Sequence, residues 1–316
     1  MIRARRKAWA ATWFACAGLV GPAVMLAHPA GASAAGACNL YASTSGSDSA
    51  SGSQSAPFRS AQKLADSLSA GQVGCLAPGQ TFGGIHFNRS GVTITTAPGG
   101  ARATMLGNTE IPDSANDVTI ENVVLNGRTS GQRVSPSIEG DRAVLRNNEI
   151  TNDNTAICIH VGSSLGYGVA YDVVIDGNRI HNCGRLPATN FDHGVYVDNA
   201  YRTRIVNNYI YDNSDYGVHL YPSAQQTYVA HNVIDGNGRG LTFSGDSGYP
   251  NPSSGNVVEF NTISNSKITT NIESWWGGGV GTGNVAHDNC VWNGAKGNIA
   301  TQWGFTATNN TVTDPG

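Results

Sequence analysis

Residues 192–221 read DHGVYVDNAYRTRIVNNYIYDNSDYGVHLY. HGVYVD alternates, so Val195 and Val197 share one face of a strand while Tyr196 and Asp198 occupy the other. TRIVNNYI then reads as a strand, a tight Asn turn and a second strand. YGVHLY repeats the opening pattern, with Val218 and Leu220 inward and His219 and Tyr221 outward. One structural repeat and the start of the next are therefore contained in these residues, along with the densest group of His, Asp and Tyr in the chain.

The repeat extends in both directions. The segments LRNNEI (145–150), IDGNRI (175–180), IVNNYI (205–210), VAHNVI (229–234), EFNTI (259–263), HDNCV (287–291) and TNNTV (308–312) share one phase. Their Asn residues are Asn148, Asn178, Asn208, Asn232, Asn261, Asn289 and Asn310, separated by 30, 30, 24, 29, 28 and 21 positions. A period in this range indicates a solenoid. Asn tolerates the left-handed conformation of a sharp turn, and stacked Asn amides can bond along the axis. Earlier coils without the Asn are expected at 92–95 and 118–125. A third strand per coil is read at 156–161, 194–199, 217–222, 240–245, 271–276 and 298–303. Its inward columns are Ile157, Val195, Val218, Leu241, Ile272, Ile299 and Ile159, Val197, Leu220, Phe243, Ser274, Thr301.

Composition agrees. Charged residues are 13% of the 316-residue chain, Gly occupies 40 positions and the formal net charge is -3. Low charge with abundant Gly suits an all-β chain rich in turns. No basic face points to nucleic acid. The start, MIRARRK followed by an uncharged apolar run to Leu26 and Ala32-Ser33-Ala34, reads as a secretion signal over 1–34. The protein is expected to be secreted from about Ala35 onward, with no membrane span. Residues 35–84 read as an N-terminal strand and a capping helix over about 57–68, and 85–316 as the solenoid. Five cysteines remain after the signal. Cys38 with Cys75, and Cys158 with Cys183, are the expected disulfides, leaving Cys290 over.

The whole pattern resembles the pectate-lyase-like superfamily of secreted right-handed parallel β-helix proteins, over nearly all of the chain after the signal. The resemblance implies a right-handed parallel β-helix of about eight or nine coils, whose N-terminal end is covered by a strand and helix. It also implies a polysaccharide ligand and a groove on the outer face of the GVYVD sheet. Insertions at 162–171, 185–192, 245–255 and 277–283 would rise as its walls. A fold of this kind hosts several chemistries, so the residues must carry the rest.

By register, one outward row is Cys158, Tyr196, His219, Thr242, Glu273, and the other is His160, Asp198, Tyr221, Ser244, Trp275, Gln302. The leading expectation is a polysaccharide lyase that cleaves an acidic, uronate glycan by β-elimination. Such chemistry needs a base, an acid and neutralisation of the substrate carboxylate. His219, Tyr221, Tyr196 and Arg239 are the candidate catalytic residues, and His160, His193, Asp198 and Trp275 the candidate substrate-binding ones. Asp198, Asn199 and Glu273 supply hard oxygens of the kind Ca²⁺ takes, although no compact calcium motif is present. The alternatives are a glycoside hydrolase pairing Asp198 with Glu273 or Asp246, and a non-catalytic carbohydrate-binding or surface solenoid. A monomer is expected.

Overall fold

The structure, a computed structural model, describes residues 37–315 except 132, 247, 276–278 and 302–303. The expected signal segment, Trp276, Gln302 and Trp303 therefore lie outside the described residues, as does the side chain of Trp275. Thirty short strands form three parallel sheets of eleven, ten and nine strands. Each complete turn contributes one strand to each sheet, the first and last turns having none in the third, so the chain winds as a β-helix around a single core.

The core follows from alternation. In sheet one the inward column runs Ile94, Ile120, Leu145, Ile175, Ile205, Val229 and Val258. In sheet three it runs Ile111, Ile138, Val161, Val197, Leu220 and Phe243. All are fully buried. Strands this short are marginal alone; stacking at roughly 4.8 Å satisfies their backbone and buries their apolar side.

Ten strands in the second sheet give about ten turns, against an expected eight or nine. The additional turn is made by Val73–Leu76 and Thr81–Gly83, which pair into sheets one and two but carry no phased Asn. The helix is also shorter than expected, Ala61–Ser67, with Ser60 Oγ accepting from the Lys63 amide as its N-cap. Phe58 is still extended, bridged to Ala42, so the helix starts only after Ser60.

The Asn column forms a continuous ladder. Each amide N–H donates to the side-chain oxygen of the next Asn, at 2.9 to 3.0 Å from Asn148 to Asn310. The ladder residues are not the left-handed ones. The residue before each carries the positive φ: Asn147, Gly177, Asn207, His231, Phe260, Asp288 and Asn309. The side-chain bond, rather than tolerance of the left-handed region, selects Asn in the ladder. Two further ladders escaped the sequence reading, Asn213 to Asn237 and Asn256 to Asn284, one at each remaining corner.

Cys38–Cys75 and Cys158–Cys183 are joined, with Cα separations of 5.6 and 5.5 Å. Cys290, expected as a leftover thiol from the odd count, is disulfide-bonded, and no described cysteine is free.

Candidate functional site

Sheet three carries the site on its outer face. Its longest strands are His193–Tyr201 and Tyr216–Gln225, flanked by Ile159–Gly162 and Arg239–Ser244. Their starts share a motif, His193-Gly194, Tyr216-Gly217 and Arg239-Gly240, with each first residue opposite the next. A Cβ on Gly217 would meet the Gly240 carbonyl oxygen at 2.8 Å, and one on Gly240 the Asn271 oxygen at 2.2 Å. Only glycine allows the turns to stack so closely at this corner.

The outward register differs from the expected one by two residues on the first strand. Ile159 pairs with Val195, and His160 with Tyr196. Ile157 leaves the core column, and Cys158 turns inward, fully buried in its disulfide. The row therefore runs Ser137, His160, Tyr196, His219, Thr242, Glu273. Both registers keep apolar residues inside, so alternation alone does not separate them. A bulge after Val197 leaves Asp198 unpaired and turned toward His160.

Two layers result. The buried layer lies near the strand starts, where Asn190 in the loop before His193 reaches Arg239. His219, expected to face solvent, is only 3% exposed. Its ring stacks on Tyr216 at 4.2 Å and Tyr221 at 5.4 Å, and its Nε2 lies 2.9 Å from Ser244 Oγ. Burial, reinforced by the Arg239 charge, lowers its pKa to about 3. It is neutral at ordinary pH and a feeble base. His193 is also buried, held well below its usual value by burial and then by neighbouring His219, His160 and Arg239. Arg239 is not available to a substrate carboxylate. It is 4% exposed, lies 3.6 Å from Asp215 and 3.9 Å from Glu273, and bonds the side-chain oxygen of Asn190. Asp215 is raised to about 6, burial outweighing Arg239. Asp192 accepts from Arg185 and Thr189.

The second layer is partly open. His160 keeps 13% of its side chain exposed, and its Nε2 lies 3.1 Å from Asp198 Oδ2. That oxygen also accepts from the Ser164 amide and hydroxyl, each at 3.0 Å. Tyr196 stacks on His160 at 4.9 Å and on His219 at 5.6 Å. Its phenol stays protonated, raised well above normal by burial and by the Asp198 charge. Tyr221, half-buried, donates to exposed Asp246 at 3.0 Å and is raised to about 12 by burial and that bond. Glu139, missed by sequence reasoning, completes the patch. It is 5% exposed and raised to about 7 by burial, against the pull of His160. It directly follows the strand Ser137–Ile138, whose two residues are too few to show a period.

The expected calcium ligands are not brought together. Glu273 accepts from Thr269 and Thr270 at 2.8 and 2.7 Å. Three strand spacings separate it from Asp198, roughly 14 Å, and Asp198 is occupied by His160 and Ser164. Asn199 follows Asp198 and is half-buried. Among the described residues no cluster of three or more His, Cys, Asp or Glu has metal-binding geometry. These residues do not fit a calcium ion.

The arrangement can do acid–base chemistry at a surface: a carboxylate-oriented imidazole beside protonated phenols, between loops that follow and precede the strands. A family model described as "Right handed beta helix region" matches residues 83–256. No curated protein matches the chain. Among solved structures, the complex of XylC with xylose superposes with a TM-score of 0.51 at 13% identity, covering 82% of this chain and 69% of that one. Pectate lyase Pel9A gives 0.50 at 16% identity, covering 87% and 78%. The lacto-N-biosidase of Eubacterium ramulus gives 0.43 at 12%, covering 87% and 68%. For XylC and Pel9A, identities this low indicate a shared fold and nothing finer.

Proposed function

Because the chain belongs to the right-handed β-helix family, we propose that its third-sheet face binds an acidic polysaccharide and cleaves it by β-elimination. The observation that carries the reading is the Asp198–His160–Tyr196 constellation. It sets a base oriented by a carboxylate against a protonated phenol, partly open to solvent. In this scheme His160 removes the proton α to the uronate carboxylate. Tyr196 protonates the departing glycosidic oxygen, and a double bond forms between the two carbons. Asp198 fixes the imidazole tautomer and stabilises the imidazolium that develops. The candidates to meet the carboxylate are the Tyr221 hydroxyl and Arg185, whose side chain is 41% exposed and paired with Asp192. The similar structures include a pectate lyase and a xylose complex, in keeping with a carbohydrate ligand on this fold.

Hydrolysis is the second reading, and one observation favours it: Glu139 carries a pKa of about 7, suited to a general acid. Against it, Glu139 and Asp198 are only 5% and 3% exposed, and Asp198 is committed to His160 and Ser164. Elimination asks less of buried groups.

The roles are tested with polygalacturonate and alginate. Wild type should generate ultraviolet absorbance from the new double bond, and His160→Ala should lose 10²–10⁴-fold in turnover, as expected for a missing general base. Because His160 bonds buried Asp198, the variant should also melt somewhat lower, so turnover is compared well below both melting temperatures. New reducing ends without the absorbance would replace elimination by hydrolysis, and full activity in His160→Ala would remove it from the mechanism.

A further inference from the structure

The four most exposed large apolar side chains among the described residues all lie on the two loops beside this face. Leu165 and Tyr167 are 82% and 74% exposed; Leu186 and Phe191 are 67% and 62%. Leu165 and Tyr167 follow the strand Ile159–Gly162, whereas Leu186 and Phe191 precede His193–Tyr201. Since the strands are parallel, the two loops stand at opposite ends of the sheet face. Gly162 lies opposite Asn199, six residues on from His193, so the bases of the two loops are roughly 20 Å apart.

We infer that these side chains are the apolar walls of a glycan subsite and set which sugar unit reaches His160 and Tyr196. The inference rests on reading the face as a carbohydrate site and adds the determinants of its specificity. Scattered exposed apolar residues need no explanation, but a cluster at one site does. Here each tip is also tied to the site beneath it. Ser164, next to Leu165, donates twice to Asp198, and Ser163 bridges back to Gly168. Asn190, next to Phe191, bonds Arg239, while the Phe191 amide donates to Thr189, itself bonded to Asp192. The walls are thus positioned by the same residues that build the floor.

A sugar ring suits this combination. Its C–H faces are apolar and its rim is hydroxylated. Each apolar wall, one bearing a phenol and the other a phenyl ring, receives the face of a different sugar unit along the chain. A floor of imidazole, phenol and carboxylate receives the hydroxyls. A purely apolar partner would leave that floor unsatisfied on docking, which costs free energy.

The test is gel retardation of the full chain in polygalacturonate, alginate and xylan, with ultraviolet release measured in parallel. Tyr167→Ser, Phe191→Ser and their double variant are compared with wild type, and Tyr209→Ser on the second sheet is the exposed-aromatic control. At least one polymer should retard wild type, and the double variant should lose at least tenfold in apparent affinity with its melting temperature kept. Tyr209→Ser should bind as wild type does. Equal retardation of the double variant overturns the inference, as does a wild type that no polymer retards. So does concentration-dependent self-association that the double variant abolishes while retardation persists, because the walls would then join two copies of the chain. Retardation that depends on the walls, without new absorbance, leaves the inference standing and removes β-elimination. Absorbance that survives loss of the walls with unchanged affinity does the reverse.

Discussion

His219 shows how a side chain's position on a strand differs from its environment. Alternation with Val218 and Leu220 aims it outward, and it is outward. Yet Tyr216, Tyr221, His193 and Tyr196 close around it, and burial leaves the neutral ring as the stable form. Its folded pKa, about 3, lies below the ordinary 6.5. Between those values the unfolded chain binds a proton that the folded chain refuses, so its contribution is full above pH 6.5 and is lost as pH falls toward 3. Glu139 and Asp215 act oppositely, because their raised values favour the folded state at lower pH. Comparing wild type with His219→Phe cancels most of that shared background. On acidification from pH 7.5 to 4, wild-type melting temperature should fall relative to the variant. Parallel curves would show that His219 titrates normally. Replacement should also lower stability at neutral pH, whereas replacing a solvent-facing residue would leave it nearly unchanged.

At the scale of elements, the corner between sheets one and two depends on one side chain per turn. Asn208 donates its amide to Asn232 and accepts from the Asn178 amide and side chain, while its own side chain reaches the Ile175 carbonyl. Asn208→Leu removes these side-chain bonds and strands the buried Asn178 donors. It should cost about 1–3 kcal/mol, the usual penalty for unsatisfied buried groups. Chemical denaturation would read this as a lower midpoint; an unchanged midpoint would mean that the ladder is dispensable. This corner was legible because its Asn recurs in phase, and a period is the feature a linear sequence displays best. The other ladders were not, since Asn213 and Asn256 recur over too few turns. The site was half legible for a related reason. Tyr196, Asp198, His160 and Tyr221 could be assigned to one face, because alternation fixes the side of the sheet. A shift of two residues preserves alternation, so the pairing of His160 with Tyr196 was hidden. Burial of His193, His219 and Arg239 was hidden too, because neither the contacts around them nor the fold of the 184–192 loop has a period.

In the whole molecule each turn stacks mainly on its two neighbours, with a few bonds such as Asn190–Arg239 reaching two turns on, so stability is close to a sum of turn and interface contributions. Among the described residues no helix is long and apolar enough to cross a membrane, and two disulfides are defined. The Cys158–Cys183 bond joins residues 25 apart, across adjacent turns, two positions before His160. It therefore acts at both scales. A loop of that size constrains the unfolded chain by roughly 3 kcal/mol in the chain-entropy account. It also holds the start of the strand Ile159–Gly162 against the corner, with the Cys158 amide bonded to the His193 carbonyl at 3.1 Å. Cys158→Ser with Cys183→Ser should lower the melting temperature and, below it, weaken turnover by displacing His160 from Asp198 and Tyr196. The Cys38–Cys75 bond closes 37 residues far from this face, and is the matched control. Its removal should destabilise by a similar amount and leave turnover at low temperature intact. Equal loss of turnover in the two double variants would mean that the bond near His160 acts through global stability alone.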